Sequence, residues 1–204
     1  MPAIGITGGI STGKSTFCEC LREVLPDAKF FNADKTAHRF VDLDSEVKDE
    51  IRSEFGEGFF SDAGDLNREK LRAIVFADAT KKLALERILH PRIRRQWRTE
   101  AKGHRNSPKL FFADIPLLYE TGGETFCDRV VVVACSQKLQ LARLRKRMSV
   151  RSAEAKQMIN SQMPLEEKIA RADHVVWNNG DRTSLMEQAR FLVASWQGQT
   201  WMKK

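Results

Sequence analysis

Gly8-Gly9-Ile10-Ser11-Thr12-Gly13-Lys14-Ser15 is the stretch from which the rest of this 204-residue chain can be read. It fits GxxxxGK[ST], with a short apolar run, Ala3 to Thr7, before it and a helical pattern, Lys14 to Leu25, after it. The order has a physical reason. Glycines let the backbone curl so that successive N–H groups converge on phosphate oxygens, and the helix N-terminus adds free amides and a favourable dipole. In this setting Lys14 reaches the β- and γ-phosphates of a nucleoside triphosphate and the Ser15 hydroxyl is a ligand for Mg²⁺. The competing reading is an ordinary Gly-rich turn; the flanking strand and helix favour the nucleotide site.

Outward from the loop, four more apolar runs stand out: Lys29 to Asn32, Leu110 to Ile115, Val130 to Ala134 and His174 to Trp177. All are too short for helices, and the valine run lacks polar alternation, as a strand covered on both faces does. Helical spacing lies between them, at Leu85, Leu89, Ile93 and Trp97, at Leu141, Leu144 and Met148, and at Leu185, Ala189, Leu192 and Trp196. The expected fold is α/β, a five-stranded parallel sheet flanked by helices in the manner of a P-loop NTPase core. Residues 44–103 read as an inserted helical module broken near Gly56-Glu57-Gly58 and Asp62 to Asp65, and residues 137–172 as a lid region. The core then comprises residues 1–43, 104–136 and 173–204.

Ligands of open α/β sheets bind beyond the carboxyl ends of the strands, which selects Asp34, Asp114, Ser136 and Asn178-Asn179-Gly180 besides the loop. Asp34 suits two roles equally: a base for an attacking hydroxyl or the N-cap of the next helix. Asp114 suits a water-mediated Mg²⁺ contact or a turn. Arg143 and Arg147, at i and i+4 on a basic helix expected over Gln137 to Arg151, share a face. Beside a phosphate loop they suit a mobile lid that bridges transferring phosphates better than a merely solvated surface.

Composition narrows the partners. The chain has 42% hydrophobic and 30% charged residues, and 34 Lys and Arg against 27 Asp and Glu leave a formal charge of +7. That excludes wholesale disorder and suits an anionic ligand without naming one. Basic and aromatic residues do not interleave as single-stranded nucleic acid requires, so no nucleic-acid partner is expected. No apolar run approaches bilayer length, there is no secretory leader pattern, and Cys18, Cys20, Cys127 and Cys135 form no CxxC pair. A reduced, cytoplasmic protein with no membrane partner is the expectation. His38, His90, His104 and His174 show no metal-ligand spacing. A guanine-reading Asn-Lys-x-Asp segment is absent, which leaves a small-molecule kinase ahead of a nucleotide switch or an ATP-driven machine. Oligomeric state leaves no mark in the sequence.

Taken together, the residues resemble the dephospho-coenzyme A kinase family over nearly the whole chain. The resemblance runs from Thr7-Gly8-Gly9-Ile10 and Gly13-Lys14-Ser15-Thr16 through Ala33-Asp34, Ala37-His38, Leu66-Asn67-Arg68, Leu89-His90-Pro91 and Asp114-Ile115-Pro116-Leu117-Leu118 with Glu120, to Arg143, Arg147, Gln162, Ala172-Asp173 and Asn179-Gly180. It implies phosphorylation of the ribose 3′-hydroxyl of dephospho-coenzyme A by ATP with Mg²⁺, giving coenzyme A and ADP. By the same resemblance, Gly8 to Thr16 hold the nucleotide phosphates and Asn179-Gly180 its adenine side. Asp34 is the base, Lys14, Arg143 and Arg147 act on the phosphates, and Asp34, His38, His90, Asp114 and Leu117 line the acceptor. Two departures stand out. Asn32 replaces the first aspartate of the family's Asp-Ala-Asp, and Ser11-Thr12 stands where Gly-Ser or Gly-Thr is usual, which restricts the backbone if residue 11 needs positive φ.

Overall fold

The computed structural model describes residues 3–104 and 106–197; the outermost parts of the expected core, residues 1–2 and 198–204, lie outside them. The chain divides into two compact units, one of Met1–Phe31 with Glu100–Lys204 and one of Asn32–Thr99.

The first unit is built on five strands, β1 (Ala3–Gly8), β2 (Lys29–Asn32), β3 (Phe111–Asp114), β4 (Arg129–Ala134) and β5 (His174–Trp177). They lie in the order β2-β3-β1-β4-β5. β1 runs parallel to β3 and β4, and β4 runs parallel to β5, with Ile6 opposite both Asp114 and Val131. β1 and β3 are buried at every residue and β4 at every residue after its first. That explains the uninterrupted apolar runs: a central parallel strand has no solvent face on which polar residues could alternate. Helices α1 (Lys14–Val24) and α9 (Arg182–Gln197) supply Phe17, Leu21, Leu185, Leu192 and Trp196 to the same core as Ile4, Phe112, Val131 and Val133. Because β3 and β4 flank β1 on opposite sides, the carboxyl end of β1 is a topological switch point, where such sheets open a crevice.

Three further helices of this unit, α6 (Gln137–Met148), α7 (Ser152–Asn160) and α8 (Leu165–Ala170), make up the region expected to be a lid. The basic helix is shorter than its sequence suggests, because Ser149 adopts a left-handed φ of 53° and ends it.

The second unit is helical: α2 (Ala33–Leu43), α3 (Ser45–Phe55), α4 (Arg68–Ala77) and most of α5 (Ala79–His104). It starts at Asn32 rather than at residue 44 because α2 contributes Val41 and Phe40 to the same apolar cluster as Val47, Ile51, Leu71, Ile88 and Leu89. Gly56 ends α3, as the sequence indicates. Pro91, by contrast, does not end α5. Leu89 and Ile93 are held in the cluster on either side of it, and Arg92 bonds both carboxylate oxygens of Glu50 on α3, at 3.1 and 2.7 Å. Tertiary packing here outweighs the proline's local preference. No helix among the described residues is long and apolar enough to cross a membrane.

Candidate active site

The phosphate loop connects β1 to α1, and its conformation is set from outside. Gly13 is the N-cap of α1 with φ 95° and no side chain to occupy the first-turn amides, so those N–H groups stay available for an anion. A Cβ on Gly13 would overlap the Asn178 amide nitrogen, and one on Gly8 would overlap the Val133 carbonyl. The loop carbonyls are engaged by the surrounding protein. Asn178 Nδ2 donates to Thr12 O at 2.9 Å, Gln140 Nε2 to Ile10 O at 2.9 Å, and the Thr12 hydroxyl to Gly9 O at 2.9 Å. With its carbonyls fixed outward, the loop turns its later amides to the other side. Ile10 and Thr12 are exceptions to the expected pattern: the Ile10 N–H donates to Gln162 Oε1 at 3.0 Å and the Thr12 N–H to Gly9 O at 3.3 Å, so both amides are committed to the protein.

Lys14 pairs with Asp114, whose carboxylate is 2% exposed. Cys18, one turn along α1, hydrogen-bonds the same carboxylate, and burial pushes its thiol up to about 12, with the Asp114 charge adding to the effect. Asp114 is therefore an ion-pair partner of the loop lysine and not a free turn residue. Leu117 lies half-buried in the turn after β3, where its carbonyl accepts from the Thr121 hydroxyl at 2.8 Å.

Arg143 on α6 donates to Asn178 O at 3.0 Å and Thr12 O at 3.5 Å, which brings it to the phosphate loop; Arg147, one turn on, is exposed. Asn179 Oδ1 accepts the Ser136 N–H at 2.7 Å, tying the loop after β5 to the end of β4, and Gly180 is exposed in the turn that follows. Ser15 and Thr16 occupy the first turn of α1, with Ser15 exposed. Among the described residues no cluster of three or more His, Cys, Asp or Glu could hold a metal. The Ser15 hydroxyl and the Asp114 carboxylate are oxygen donors of the kind Mg²⁺ takes, one or two from protein with phosphates and water completing its shell.

Asn178, which its place beyond the fifth apolar run already singles out, is 7% exposed and braces the loop. One residue of this unit escapes sequence reasoning. Lys168 on α8 has a fully buried side chain paired with Glu120 at 2.8 Å. It also donates to Pro116 O at 3.1 Å and Gly8 O at 3.5 Å, while Glu120 accepts the Met163 N–H at 3.0 Å. A lysine after two glutamates reads as solvated surface, and only its distant partners reveal otherwise.

Ser11 has φ 60°, so the departure from glycine does fall where the backbone is left-handed. A non-glycine residue there costs about 1–2 kcal/mol. Its Oγ is buried with no hydrogen-bond partner among the described residues, which adds about 1–3 kcal/mol.

Asp34, His38 and His90 belong to the helical unit. Asn32 is the N-cap of α2, accepting the Lys35 N–H at 2.7 Å. Asparagine caps as well as aspartate, so the Asn32 departure keeps the helix start intact. It also frees Asp34, exposed on the first turn, from the capping role. His38 lies one turn further on and is exposed as well. His90 is half-buried on α5; burial lowers its pKa, with Glu86 acting in opposition.

Comparison with known proteins gives a consistent picture. The family model described as dephospho-CoA kinase matches residues 2–184. A dephospho-CoA kinase from Anaeromyxobacter dehalogenans is 41% identical over 203 residues, covering 97% of this chain and 93% of the relative. Among solved structures, a Thermus thermophilus protein superposes with a TM-score of 0.75 at 32% identity, covering 98% of each chain. The dephospho-CoA kinase of Campylobacter jejuni does so with a TM-score of 0.67 at 28% identity, covering 95% of this chain and 96% of its own.

Proposed function

Because this chain belongs to the dephospho-CoA kinase family, which transfers a phosphoryl group from ATP to dephospho-coenzyme A in the final step of coenzyme A synthesis, we propose the following assignment of its residues. The amides of Ser11 and of Gly13 to Thr16, with the Lys14 ammonium, hold the β- and γ-phosphates, and Thr12 keeps its amide on Gly9 O. Gly8, Gly9 and Ile10 shape the loop, and Asn179-Gly180 flank the adenine. Lys14 exchanges its Asp114 partner for a phosphate oxygen, and Asp114 keeps the ammonium in place until then. The observation that carries this reading is the braced loop itself: its carbonyls are bonded outward, its helix N-terminus is uncapped, and a lysine stands at its mouth.

Asp34 acts as the general base, orienting the ribose 3′-hydroxyl and accepting its proton as the oxygen attacks the γ-phosphorus. What supports this is its exposed carboxylate, free of the cap that Asn32 provides. Arg143 and Arg147 neutralise charge on the transferring group, and closure of the region from α6 to α8 excludes water that would otherwise hydrolyse ATP. Most of the acceleration then comes from positioning and electrostatics. Mg²⁺, with Ser15 Oγ as its protein ligand and Asp114 reaching it through water, would supply further charge neutralisation at the phosphates. His38, His90 and Leu117 contribute to holding the acceptor, with the helical unit of residues 32–99 as acceptor module, residues 137–172 as a lid and the remainder as core. ATP as substrate and four unpaired cysteines support a cytoplasmic location, and the lack of a base-stacking surface in the sequence supports the absence of a nucleic-acid partner.

The test is ADP release, measured by a coupled assay across candidate acceptors. Turnover with dephospho-coenzyme A and none with nucleoside monophosphates is expected; the reverse pattern overturns the assignment.

A further inference from the structure

Ser11 combines two features that are each unfavourable in the free protein, a left-handed φ of 60° and a buried hydroxyl without a partner. None of the neighbouring carbonyls serves as its acceptor, and each takes another donor instead. Gly8 O faces Lys168, Gly9 O takes the Thr12 hydroxyl, Ile10 O takes Gln140, Thr12 O takes Asn178, and Gly13 O takes the Phe17 N–H at 3.1 Å. Strain of this kind persists where the surroundings enforce it and where something is gained at the site. The residue as a whole is only half-buried. An anion entering the loop brings the acceptor that the protein lacks.

We infer that the Ser11 hydroxyl is a further nucleotide-binding group, donating a hydrogen bond to a polyphosphate oxygen of the bound nucleotide in addition to the backbone amides. This rests on the loop being the nucleotide site. The energetics favour it in a particular way. An exposed donor must give up water to bind phosphate, and the net gain is small. Ser11 Oγ has already lost its water on folding, so the charge-assisted bond is gained without that loss. The strain and desolvation at residue 11 thereby become part of the affinity for the nucleotide, and the side chain distinguishes a loaded loop from an empty one.

The test is calorimetric titration of the full-length protein with ATP and, separately, ADP, alongside thermal unfolding of the ligand-free protein. Ser11→Ala keeps the Cβ and the strained φ and deletes only the hydroxyl. Expected is a higher Tm for the free protein together with about tenfold weaker ATP binding, a crossing that a purely structural hydroxyl would not produce. Ser11→Gly, which also relieves the backbone, should unfold higher still and show the same loss of affinity. A loss shared by ATP and ADP assigns the contact to the β-phosphoryl group, and one confined to ATP assigns it to the γ. ATP binding by Ser11→Ala within twofold of the unaltered protein, or tighter, overturns the inference. Lys14→Ala in the same titration separates the two levels. If it too binds normally, the loop assignment fails; if it alone loses affinity, only the role of the Ser11 hydroxyl fails.

Discussion

Replacing Lys168 by methionine should destabilise the protein far more than its surface-like sequence context suggests. Methionine nearly matches the lysine stem in volume, so packing changes little and the lost interactions dominate. The Lys168 side chain is 0% exposed and that of Glu120 21%. Removing the ammonium leaves the Glu120 carboxylate with only the Met163 N–H as a partner among the described residues. Pro116 O keeps the Thr7 hydroxyl at 2.9 Å, and the 3.5 Å contact with Gly8 O was weak at the outset, so the stranded charge is the main cost. Breaking a buried pair costs about 3–5 kcal/mol, and the partial exposure of Glu120 points to the lower end. For a chain of this size that corresponds to a fall in Tm of roughly 10 °C. Urea unfolding and thermal scans measure both quantities. Adding Glu120→Gln to Lys168→Met neutralises the stranded carboxylate while keeping an acceptor for Met163, and should restore about half the loss. A single-variant loss under about 1 kcal/mol, the range of an exposed pair, would refute the reasoning, as would a double variant no more stable than the single one.

Asp34→Asn should lower kcat by about 10²-fold or more with ATP affinity unchanged in titration; near-normal turnover would remove Asp34 from the chemistry. Lys14→Ala should reduce kcat/KM for ATP by about 10²-fold or more through lost phosphate contacts, read in the coupled ADP assay; an unchanged value contradicts the loop assignment. His90, whose pKa is lowered mainly by burial, binds its proton less readily folded than unfolded. It therefore costs stability as pH falls below its ordinary 6.5 toward the lowered folded value, and none above. His90→Gln should flatten that acid slope in unfolding curves recorded between pH 7 and pH 5, a range set by the unperturbed histidine value, and an unaltered slope would show that His90 does not contribute to it.

Much of the architecture was legible because its signals are local. The five apolar runs correspond to the five strands, most plainly at β1, β3 and β4, since a strand buried on both faces must be apolar throughout. The loop motif lies between β1 and α1 as its spacing requires. One expectation needed revision for a non-local reason: α2 belongs with the helical unit because Val41 shares a core with Ile51 and Leu71. The cap of α2 is taken by the Asn32 side chain and not by Asp34. Composition and spacing cannot say which of two nearby polar residues turns toward the helix end.

The sequence by itself determined the sheet, the phosphate loop and the family, because each depends on contiguous residues whose backbone preferences and apolar periodicity act over a few positions. Only the tertiary structure decided what grips that loop. Its carbonyls and Ile10 amide are bonded by Gln140, Gln162 and Asn178, from 130 to 166 positions away along the chain, and Lys168 is buried beside them. Polar residues carry no sign in sequence of whether water or a distant backbone group will satisfy them, and the folded chain makes that choice by excluding the water.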